Sequence, residues 1–116
     1  MHKIRRVLQG AAAATALTAW CALPVQAEAN DAQMAQGKAL FLTGTVPSCA
    51  ICHTLEAAGA QGAVGPVLDE LKPDAARVAK ALRNGLGQMP SFKDKLSDAQ
   101  IEALSVYVAK ASGAKP

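Results

Sequence analysis

The chain has 116 residues, room for one small domain, and carries 12 Lys and Arg against 9 Asp and Glu. Three of the basic residues, Lys3, Arg5 and Arg6, crowd the N-terminus, so the rest of the chain holds nine charges of each sign. That balance removes the electrostatic case for a nucleic-acid or membrane-surface partner.

Behind Lys3, Arg5 and Arg6 runs an almost uncharged stretch from Val7 to Val25, rich in Ala and Leu and closed by Val25-Gln26-Ala27. This order of basic, apolar and small-residue segments predicts a secretory signal peptide cleaved after Ala27, leaving 28–116 as the mature domain in the periplasm. A retained membrane anchor competes, because the run approaches the roughly 20 residues a bilayer span needs. Its Ala-rich composition and cleavage site weigh against that. Cys21 follows Thr18-Ala19-Trp20, and the bulky Trp argues against lipoprotein processing.

The mature chain would hold 89 residues with two Cys, one His, two Phe and one Tyr. Chains of this size usually need a staple. A Cys49 to Cys52 disulfide would close too short a loop to help much, so a large apolar cofactor would serve better.

Asn30 or Asp31 is placed to cap a first helix over Ala32 to about Leu42, with Gly37 marking a close approach of another helix. Thr43-Gly44-Thr45-Val46-Pro47 stops it, and Ser48 can cap a short helix carrying Cys49-Ala50-Ile51-Cys52-His53. The Gly- and Ala-rich stretch from Ala57 to Gly65 reads as loop. Its glycines are not a phosphate cradle, since no strand precedes them and no Lys-Ser or Lys-Thr follows. Asp69, Glu70 and Leu71 can add a turn.

Pro73 and Asp74 open a helix whose apolar stripe is Ala75, Val78 and Leu82, ended by Gly85. Arg77, Lys80 and Arg83 read as its solvated face rather than a docking patch. Gly85-Leu86-Gly87-Gln88-Met89-Pro90-Ser91-Phe92 is irregular, and Ser97-Asp98-Ala99-Gln100 supplies a capping box for a last helix running to about Ala111 and ended by Gly113. Its stripe is Ile101, Leu104, Val108 and Ala111, with Tyr107 alongside. No strand and no internal repeat is expected, so the fold class is all-α.

The C-x-x-C-H run is the chemical centre of the sequence, because it is the pattern of covalent haem attachment. On a helical turn, Cys49, Cys52 and His53 share a face, two thiols toward the rim of a flat macrocycle and an imidazole toward its iron. A thioredoxin-like redox pair would want a βαβ context, and a structural zinc site would need four Cys or His ligands where the mature chain has three. For a second axial donor the chain offers Met34 and Met89. Met34 lies on an apolar helix face, where core packing is the simpler role. Met89 lies in a glycine-flanked loop stiffened by Pro90 and is the better candidate, although methionine also fills core gaps.

Residues 31–112, with C-x-x-C-H, Gly65-Pro66, Met89-Pro90 and the closing amphipathic helix in that order, resemble the small monohaem class I cytochromes c. The resemblance implies a cytochrome c fold of three to five helices around one covalently attached haem c. It implies thioethers at Cys49 and Cys52, iron ligation by His53 and Met89, and a hydrogen bond from His53 Nδ1 to the Pro66 carbonyl. It also implies that Gly37 and Phe41 pack against Leu104 and Tyr107. The expected function is periplasmic one-electron transfer between redox proteins rather than enzymatic turnover, from a dehydrogenase donor to an oxidase or another carrier. Val64 through Phe92 looks like cytochromes paired with sulfite dehydrogenases. The alternative is a haem enzyme or gas sensor with an open sixth coordination position.

Overall fold

The computed structural model describes residues 25–115 together with Gly10. The signal-peptide expectation therefore falls almost entirely outside the described residues. Helix α1 spans Val25–Thr43, α2 Cys49–Cys52, α3 Leu68–Leu71, α4 Ala75–Asn84 and α5 Asp98–Ser112. Asn30 and Asp31 thus lie within α1 instead of capping it. The residues before them, Gln26-Ala27-Glu28-Ala29, are good helix formers, and a cap is needed only where the chain enters a helix.

Helix α5 is the central element, packed against α1, α3 and α4. It begins with the expected capping box: the Ser97 side chain accepts from Gln100 N, and the Gln100 side chain accepts from Ser97 N. It ends at Gly113, whose φ of 78° is the left-handed conformation that glycine adopts without a Cβ penalty. Ile101, Leu104, Tyr107 and Val108 are all buried. Ser105 is buried among them and donates to the Ile101 carbonyl at 2.6 Å, which offsets the cost of enclosing its hydroxyl.

The crossing of α1 and α5 depends on Gly37. A Cβ there would overlap Tyr107 Cβ and lie 2.5 Å from the Ala103 carbonyl oxygen, so only glycine lets the helices approach this closely. One turn further on, Phe41 is buried with its ring centroid 6.2 Å from that of Tyr107 and tilted by 59°. A buried Phe contributes about 1.5–3 kcal/mol of transfer free energy, and tilted aromatic pairs add about 0.5–1.5 kcal/mol.

The all-α expectation holds, with one local correction. Thr54–Leu55 (β1) pairs antiparallel with Ala60–Gln61 (β2), joined through a 3-10 turn at Glu56–Ala58 and Gly59 at φ 65°. Two-residue strands are too short for alternating hydrophobicity to register in sequence. This ladder exists because Leu55 is completely buried and Gly59 can turn the chain.

Candidate functional site

Ser48 places the cysteines. Its hydroxyl accepts from Ala50 N as the N-cap of α2 and donates to the carbonyl of Leu42 at 2.7 Å, tying the start of α2 to the end of α1. Thr45 Oγ1 donates to the Pro47 carbonyl and lies 3.8 Å from Cys49 Sγ. Burial pushes the Cys49 thiol above its ordinary range, partly opposed by the Thr45 contact. No disulfide joins Cys49 to Cys52.

His53 departs from the expected geometry. Helix α2 ends at Cys52, and His53 is its C-cap with extended backbone, φ −115° and ψ 140°, while its N–H still bonds the Cys49 carbonyl. The imidazole is oriented from outside the helix. Nδ1 lies 2.8 Å from the carbonyl oxygen of Pro66. A carbonyl oxygen only accepts, so Nδ1 carries the proton and Nε2 of the neutral ring keeps its lone pair for a metal. The partner that the resemblance implied for His53 is thus in place.

The glycine loop dismissed as a phosphate cradle is the platform for this ring. Gly65 N donates to the Cys52 carbonyl at 2.7 Å, and a Cβ on Gly65 would lie 2.7 Å from His53 Cε1 and 3.0 Å from Nδ1. A Cβ on Gly62 would lie 2.6 Å from His53 N. Neither glycine has a positive φ. Both are required for space, a role the sequence signalled only through their place just before Pro66.

Met89 is carried by a tight turn. Leu86 and Met89 exchange both backbone hydrogen bonds, each 3.0 Å, across Gly87-Gln88. Gly87 has φ 59° and Gln88 is not left-handed, the pattern of a type II′ turn. The segment is tied back to α4 by Phe92 N to the Leu82 carbonyl at 2.7 Å and by Ser91 Oγ to the Arg83 carbonyl.

Cys49, Cys52, His53, Pro66 and Met89 all line one cavity of about 820 Å³. Its walls are mostly apolar, with Phe41, Leu68, Leu82, Phe92 and Leu104 among them. This volume and lining suit a cofactor of the size and apolarity of haem. Met34, the other methionine considered, packs against the core and does not line the cavity. Among the described residues no three His, Cys, Asp or Glu side chains are arranged to hold a metal ion.

A helical domain with a C-x-x-C-H turn and a lone-pair imidazole on the wall of an apolar cavity has the design of a haem-carrying electron-transfer domain. Residues 32–108 match the cytochrome family described as cytochrome C oxidase, cbb3-type, subunit III, and the chain belongs to that family as a small class I cytochrome c. It is 33% identical over 85 residues to cytochrome c6 of Synechocystis sp., an alignment covering 66% of this chain and 64% of that relative. The structure is similar to the crystal structure of the c-type cytochrome SorU from Sinorhizobium meliloti, with TM-score 0.69 and 49% identity over 72% of this chain and 95% of that one.

Proposed function

We propose that this chain is an exported, periplasmic one-electron carrier holding a single haem c, with a signal peptide over 1–27 and the cytochrome domain over 28–116. Cys49 and Cys52 would hold the haem through thioethers, and His53 Nε2 and Met89 Sδ would bind its iron. Bound in the cavity, haem supplies a one-electron couple between ferrous and ferric iron.

The observation that carries this reading is the shared cavity wall: His53 is fixed in the tautomer that leaves Nε2 free, and Met89 stands on a doubly bonded turn lining the same space. Pro66 accepts from Nδ1 and makes the imidazole a stronger donor. Met89 closes the position a small-molecule ligand would need, which favours a carrier over a gas sensor or haem enzyme. The apolar wall disfavours the extra positive charge of the ferric state and so raises the reduction potential.

Val64 and Leu86, 66% and 72% exposed, line the mouth and give a redox partner an apolar contact of the small, transient kind. Balanced charge in the mature chain predicts little long-range steering. A dehydrogenase is the proposed donor, a sulfite dehydrogenase in particular from the likeness of Val64 through Phe92, with an oxidase or another carrier as acceptor.

The test is absorption spectroscopy of both oxidation states after periplasmic expression with haem-maturation machinery, on wild type and Met89→Ala. Wild type should show low-spin haem with a sulfur-to-iron charge-transfer band when oxidised, and Met89→Ala should lose it. An unchanged spectrum and potential in Met89→Ala would remove Met89 as a ligand. N-terminal sequencing of the periplasmic product tests cleavage after Ala27.

A further inference from the structure

Haem is amphipathic: an apolar macrocycle bearing two propionate carboxylates along one edge. Nothing in the C-x-x-C-H run or at Met89 accounts for that charged edge, and the mature chain has no Trp to donate to it. The cavity wall carries a matching asymmetry. Among the described residues its titratable side chains are Cys49, Cys52, His53, Arg77 and Lys80, with no Asp or Glu. Arg77 and Lys80 are therefore its only permanent charges, both positive, in a lining that otherwise repels an anion.

Both cations stand on α4, three residues apart, a spacing that puts side chains side by side with Cβ atoms about 5–6 Å apart. On the same helix Val78, Ala81 and Leu82 also line the cavity, so α4 offers an apolar row bordered by two cations. Arg83 differs. It binds Asp98 of α5 at 3.3 Å and does not line the cavity, whereas Arg77 and Lys80 form no ion pair among the described residues. All three basic side chains are exposed, as the solvated-face reading has it, but only Arg77 and Lys80 also border the cavity. The neutral alternatives are weaker: the Ser48 hydroxyl is spent on the Leu42 carbonyl, leaving only the amides of Asn84 and Gln88.

We propose that Arg77 and Lys80 bind the two haem propionates. The inference rests on the haem reading of the cavity and adds the orientation of the ligand: its carboxylate edge lies along α4. Both side chains hold the propionates ionised, and Arg77 adds a planar fork that can bind a carboxylate through two parallel hydrogen bonds.

The experiment is potentiometric titration of the haem-loaded protein from about pH 5 to about pH 9, the range in which a carboxylate freed from its cation would begin to titrate. Wild type, Arg77→Gln, Lys80→Gln, the double variant and Arg83→Gln are compared. In wild type the potential is nearly independent of pH toward the acid end. The double variant shifts the equilibrium toward ferric about tenfold, 59 mV for one electron, and its potential rises as pH falls and a propionate protonates. Each single variant gives part of both effects, and Arg77→Lys restores the wild-type pH profile. Arg83→Gln removes the same charge from the same helix and leaves that profile unchanged.

Wild-type potential and pH profile in the double variant would overturn the proposal, as would reproduction of both changes by Arg83→Gln. If the double variant fails to incorporate haem, the charge-preserving pair Arg77→Lys with Lys80→Arg decides: incorporation at the wild-type potential supports the assignment, and failure there as well overturns it in favour of a packing role. A wild-type chain that takes up no haem would instead defeat the reading of the cavity itself.

Discussion

Replacing Gly65 by Ala should disturb the imidazole before anything else in the molecule. The new methyl would lie 2.7 Å from His53 Cε1, closer than nonbonded atoms tolerate, and would crowd Nδ1 at 3.0 Å and Nε2 at 3.2 Å. Gly65 has no positive φ, so the cost comes from contact and none from backbone strain. Relief requires the ring to move, and moving it stretches the 2.8 Å bond to the Pro66 carbonyl. Overpacking costs about 1–3 kcal/mol and the lost hydrogen bond about 1 kcal/mol, together about 2–4 kcal/mol. In a domain of this size that lowers the unfolding midpoint by on the order of 10–20 °C.

The assay is thermal unfolding of the haem-loaded protein by circular dichroism, with the visible spectrum of the folded state recorded alongside. Gly59→Ala is the comparator, because Gly59 has φ 65° and open space around its Cβ position. It should cost only the left-handed strain of roughly 1–2 kcal/mol and leave the spectrum alone. Gly65→Ala should be the more damaging of the two and should alter the haem bands. If it unfolds at or above the Gly59→Ala midpoint with a wild-type spectrum, the loop is no platform for His53.

Gly37→Ala forces α1 away from α5 through contact with Ala103 backbone and Tyr107 Cβ, and a loss of about 1–3 kcal/mol in denaturant unfolding is expected with little spectral change. Burial raises the Tyr107 phenol above 10.0, so the native state holds that proton more tightly than the unfolded chain. Its contribution is complete below about pH 10 and declines as pH rises through the folded value, a decline that Tyr107→Phe should abolish in alkaline unfolding curves. Because the Tyr107 hydroxyl is buried without a hydrogen-bond partner among the described residues, Tyr107→Phe should also be neutral or stabilising at pH 7. Ser97→Ala opens the capping box of α5 and should cost about 1 kcal/mol without moving the visible spectrum.

What the sequence disclosed was governed by how local each cause is. Caps, glycine stops and the C-x-x-C-H spacing act over a few residues, so Ser48, Asp74, Ser97 and Gly113 fall at the helix ends where their chemistry puts them. The irregular loop that carries Met89 was legible because two glycines and a proline exclude helix there, and Gly37 because a mid-helix glycine asks for a close neighbour. Gly62 and Gly65 were read correctly as loop, but their role stayed hidden because its cause lies in other segments: the atoms they must avoid are those of Ile51 and His53. The same limitation hid the division between Arg77 with Lys80 and Arg83, since a helical stripe cannot say which edge borders a cavity and which meets α5. The position of His53 beyond the end of α2 was missed for a third reason. The spacing fits a helical turn, yet Gly62 N bonds to the His53 carbonyl and draws that residue into the extended segment leading to β1.

The placement of these contacts along the chain implies an order of assembly. The bonds that seat the histidine, from Gly65 N to the Cys52 carbonyl and from His53 to Pro66, each join residues 13 apart. The contact that closes α1 onto α5 joins Gly37 to Tyr107, 70 positions further along. Loop-closure entropy makes the longer ring dearer by about 1.5 kcal/mol, before any packing is gained in return. The histidine's seat can therefore be assembled by chain that has already emerged while α5 is still unmade, leaving the thiols and the ring accessible from the side that Leu104 and Val108 later wall off.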